Sequence, residues 1–78
     1  MRRDVLSEVL SPSVQQAIAD LVSENECPTD WTHIGFKRDE GDVLVSVGYE
    51  RDHTIMVFGV QERDWPSVEP WWTQGSAF

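Results

Sequence analysis

Cys27, His33 and His53 are the side chains best suited to hold a metal or attack a substrate, and their spacing serves neither task. Zinc sites take ligands from close pairs such as C-x-x-C or H-x-x-x-H, which set two donors on one turn or one helix face. No such pair occurs here. Cys27 precedes Pro28 at the end of a helical pattern, the place of a small buried or loop residue. His53 falls in a polar turn, where a solvated imidazole needs no further role.

Carboxylates are abundant: Asp39, Glu40 and Asp42 form one group, Glu50 and Asp52 another, Glu62 and Asp64 a third. General acid–base pairs need environments that push two pKa values apart, which burial provides and a turn does not. Asp39-Glu40-Gly41-Asp42 lacks the alternating ligands and distal glutamate of a twelve-residue calcium loop. There is neither a Gly-rich phosphate loop nor a G-x-S-x-G elbow. The expectation is a protein without catalytic residues, metal or cofactor.

Charge narrows the partners. Fourteen Asp and Glu oppose six Lys and Arg, a formal net charge of −8 in 78 residues, and Lys37 is the only lysine. Phosphate binding depends on cations that release condensed counterions, so direct nucleic-acid binding is not expected. No apolar run approaches the roughly 18 residues that span a bilayer, and Asp4 and Glu8 interrupt any leader after Met1-Arg2-Arg3. With a single cysteine an internal disulfide is impossible, and a cytoplasmic setting fits best.

The elements follow from periodicity. Residues 1–78 read as one small domain: helical over 4–25, a β-meander over 31–61 and an aromatic tail over 65–78. Val5, Leu6, Val9 and Leu10 have helical spacing for about two turns. Ser11 is an N-cap before Pro12, and Val14, Ala17, Ile18, Leu21 and Val22 then repeat along one face, giving a helix over 12–25. Asn25, able to turn left-handed, and Pro28 end it. Strands follow over 31–38, 43–50 and 54–61, joined by polar turns. Setting Arg38 against Val43 pairs Phe36 with Val45 and Ile34 with Val47, so every apolar side chain of both strands shares one face. The fold class is α+β, with the N-terminal helix packed on a three-stranded antiparallel meander and an aromatic C-terminal strap.

By parity the opposite face carries Leu44, Ile55 and Val57 beside Gly35, Gly48 and Gly59. Glycine inside a strand often marks the close approach of another group, and the extended, Pro-broken tail is the nearest segment to cover it. Trp31 and Trp65 read as core. Adjacent Trp71 and Trp72 on an extended backbone would point apart, so at least one is expected at the surface, where Trp often anchors a partner.

The expected function is therefore that of a small acidic protein-binding module, without enzymatic activity, whose partner has a basic surface. Trp71, Trp72, Leu44, Ile55 and Val57 would form its contact, with Asp39, Glu40 and Asp42 on an acidic rim. A sharper version is a phage-type inhibitor that mimics DNA before a nucleic-acid-handling protein. The alternative is a salt-adapted regulatory or structural domain from a halophile, whose acidity serves solvation. A homodimer through the glycine-dented face or the open edge strand is a further arrangement.

Overall fold

The computed structural model describes residues 1–74, apart from the side chains of Asp39 and residues 72–74. Helix α1 (Arg3–Val9) buries Leu6 and leads to buried Leu10. Gln15 reaches back to donate to the Leu10 carbonyl at 2.8 Å, which holds the bend between the helices. Helix α2 (Pro12–Glu24) starts as its sequence dictates, with Pro12 in the first turn and the Ser11 hydroxyl accepting from the Val14 N–H. Its buried face is Val14, Ile18, Leu21 and Val22, each stabilising the fold by about 1.5–3 kcal/mol. At its end Asn25 caps with its side chain, donating to Leu21 O at 2.8 Å, while the left-handed residue is Glu26, at φ 60°.

Strands β1 (His33–Asp39), β2 (Asp42–Gly48) and β3 (Ile55–Val60) form an antiparallel sheet in the order β1-β2-β3. The register is Ile34 against Val47, Phe36 against Val45 and Arg38 against Val43, as the apolar pattern requires. Glu40 and Gly41 make a two-residue hairpin turn with both φ angles positive, the geometry that matches strand twist. Ile34, Val43, Val45 and Val47 are buried beneath α2 in one core that also holds Trp31 and Tyr49.

The tail departs from expectation. Residues Trp65–Gln74 form a helix, α3, rather than an extended strap, and α3 packs with α2. Pro66 sits in its first turn, where a missing N–H costs nothing. Val68 and Trp71, three apart, share one face and are wholly buried. Trp71 meets Phe36 edge-on, with ring centroids 5.0 Å apart. Pro70 lies inside the helix. An interior proline costs about 3 kcal/mol, whereas burying an aromatic of 150–250 Å² returns about 4–6 kcal/mol, so burial of Trp71 decides the conformation.

One further pairing lies at the N-terminus. Met1 exchanges backbone hydrogen bonds with Ile34 (2.8 and 2.9 Å), and the Arg3 N–H donates to Thr32 O. These residues occupy the outer edge of β1 and leave β3 as the sheet's other edge.

Candidate functional site

The register arranges the uncovered face of the sheet in rows. His33, Gly48 and Ile55 form the first, Gly35, Ser46 and Val57 the second, Lys37, Leu44 and Gly59 the third. Leu44, Ile55 and Val57 are 43%, 69% and 63% exposed, the parity expected from the strands. Between them the small residues Gly35, Ser46 and Gly48 floor an open trough of about 520 Å³.

At Gly48 and Gly59 the missing side chain is not forced by crowding. A Cβ at Gly59 would meet nothing nearer than Val43 O at 4.0 Å, and one at Gly48 would only touch the His33 Cβ at 3.4 Å. Among the described residues no segment packs over these glycines. The expectation that the tail covers this face is corrected for its described part: α3 lies with α2, on the core side.

Carboxylates stand at both ends of this face. The β1–β2 turn, with Glu40 and Asp42, lies beside the end of β3, because Val43 pairs with Val60 and Glu62 follows. Glu50 and Asp52 lie at the opposite end, in the connection from β2 to β3. Asp52 accepts from the Thr54 N–H at 3.1 Å. Hydrogen bonds from the Thr54 side chain and backbone hold its carboxyl below the usual aspartate range. Arg51 bridges Asp30 at 2.6 Å and Asp52 at 3.1 Å.

Of the residues expected to meet a partner, Leu44, Ile55, Val57, Glu40 and Asp42 are exposed, the first three together on one face. Trp71 is not: it belongs to the core, because helical spacing aligns it with Val68. The side chains of Trp72 and Asp39 lie outside the described residues. Trp31 is buried as expected, and the Arg3 guanidinium stacks 4.1 Å from its ring while donating to Thr29 O and Trp31 O. Trp65 is half-buried, and its indole N–H donates to Val60 O at 3.2 Å.

A larger groove of about 740 Å³ runs between α1, α2 and residues 31–33, lined by Arg2, Arg3, Asp4, Gln15, Gln16 and Trp31 among others. Its charges are mixed, and Arg3 is already engaged with backbone carbonyls. Sequence reasoning missed it because it depends on how α1 docks. The signal was Arg3 itself, a cation in the first turn of α1, the helix end that does not favour positive charge.

Cys27 is buried, its thiol pushed up from the ordinary value by desolvation, and it donates weakly to Asn25 O at 3.7 Å. A thiol held protonated this way is a poor nucleophile. No group of three His, Cys, Asp or Glu stands together as metal ligands among the described residues. No helix among them is long and apolar enough to cross a membrane. Comparison with known protein families, with curated proteins and with solved structures finds no match to this chain.

Proposed function

We propose that this chain is a small non-enzymatic protein-binding module that receives a partner with a basic surface on the open face of its sheet. The observation that carries the reading is the trio Leu44, Ile55 and Val57, exposed around a glycine-floored trough with carboxylates at either end. Three of the five large apolar side chains exposed among the described residues gather here, the other two being Val5 and Val9 on α1, and such patches mark contact sites. The acidic ends would steer a basic partner and reject acidic ones, while the apolar centre supplies affinity. In its sharper form the module is an inhibitor that occupies the nucleic-acid groove of its target, its −8 charge standing in for phosphates.

The test uses the chain as bait against extract of its source cells, beside an Ile55→Ser, Val57→Ser double variant with an unaltered melt. A basic protein retained by the parent and released by the variant supports the reading. Equal retention by both baits removes the open face as the contact.

A further inference from the structure

β3 offers a second kind of contact, independent of its face. Tyr49 donates its N–H to Thr54 O at 3.0 Å, which marks these two as a hydrogen-bonded pair of the β2–β3 ladder. Such pairs alternate along an antiparallel ladder. The N–H and C=O groups of Met56, Phe58 and Val60 therefore face β2, and those of Ile55, Val57 and Gly59 face outward. Among the described residues nothing pairs with that outward row. The strand carries no lysine, proline or charge, the usual devices that keep an edge from pairing.

We propose that this edge pairs with the same edge of a second copy, antiparallel about a twofold axis at Val57, to make one sheet continuous across two chains. The outward groups are symmetric about Val57. Val57 meets Val57 of the second copy, and Ile55 meets its Gly59, each as a hydrogen-bonded pair that exchanges both bonds. The side chains agree with this register. On the open face a large Ile55 lies beside a Gly59 with no side chain. On the core face Met56 lies beside Phe58 of the second copy, and both are only half-buried within one chain. Charge does not forbid the seam, because the paired strands are neutral. Beyond their ends the same register sets Arg51 toward Arg63 and Asp52 toward Glu62 of the second copy, like charge toward like, but these residues lie in exposed turns outside the strands, where salt screens them. The net charge of −8 per chain still repels, so added salt strengthens the dimer.

Sedimentation equilibrium on the full chain, with amide hydrogen exchange followed by NMR at several protein concentrations, tests this. The expected result is a dimer in which the amides of Ile55, Val57 and Gly59 gain protection as concentration rises. Those of Met56, Phe58 and Val60 are protected throughout. Val57→Pro removes an outward donor that the chain's own ladder does not use, so the melt is kept and dimerisation weakens by about tenfold or more. If Val57→Pro fails to fold, Val57→Lys keeps the donor and sets two like charges opposite each other at the axis, with the same expected loss. A chain that stays monomeric at millimolar concentration and high salt overturns the proposal. So does a dimer whose Ile55, Val57 and Gly59 amides remain fast, which would place the second copy on the face instead of the edge.

Discussion

Tyr49 and Asp52 show how single groups secure the end of the sheet where β2 turns into β3. The Tyr49 phenol is buried and donates to Pro28 O at 2.8 Å, so it ties the strand to the segment that follows α2. Tyr49→Phe leaves that carbonyl without its partner and should cost about 1–2 kcal/mol in a urea melt. Desolvation raises the phenol above its ordinary value. The fold thus retains a proton that the unfolded chain gives up, and stability falls as pH climbs past the normal tyrosine range. Asp52 acts at the other end of the scale. Its depressed pKa means that its contribution is present above the ordinary aspartate value and fades as pH falls through the lower folded value. Stability measured from pH 5 down to pH 2 should drop less in Asp52→Asn than in the parent chain. The positions of Tyr49 beside the end of β2 and of Asp52 in the turn were legible in the sequence. Their partners Pro28 and Thr54 were not, because a hydrogen bond depends on where the chain returns.

At the scale of elements, what could be read depended on whether one periodicity ruled the segment. Helix α2 and the register of β1 on β2 follow from apolar spacing alone, because a one-residue slip would turn Val43, Val45 and Val47 to the open face. Residues 65–74 held two conflicting signals: Pro66 and Pro70 suggested a broken, extended strap, while the spacing of Val68 and Trp71 suits a helix. Burial settled the conflict in favour of the helix. Trp71→Ala should therefore cost about 3–5 kcal/mol in a denaturant melt, the range for emptying an aromatic core position. A loss below 1 kcal/mol would mean that α3 is not anchored where it lies. The pairing of Met1 with Ile34 was illegible for another reason. It uses backbone groups only and leaves no mark in side-chain pattern.

For the whole molecule, the division of labour is between two faces of one sheet. Helices α1, α2 and α3 all feed the core face, and the open face keeps Leu44, Ile55 and Val57 in solvent with carboxylates at both ends. The parity that puts those three residues together was visible in the strands; that no described segment covers them was not, since it depended on where α3 packs. Salt separates the two sources of acidity. A chain built for a basic partner should melt at nearly the same temperature in 0.1 M and 2 M salt, whereas a salt-adapted one should gain markedly at the higher concentration. The proposed function places the partner on the open face, and not on the acidic surface at large. Calorimetric titration of the retained basic protein into the parent chain and into Ile55→Ala measures it most directly. Ile55→Ala is expected to keep its melt and to lose about 2 kcal/mol of binding, roughly thirtyfold in Kd. An unchanged Kd for Ile55→Ala, with binding abolished by salt alone, would contradict it.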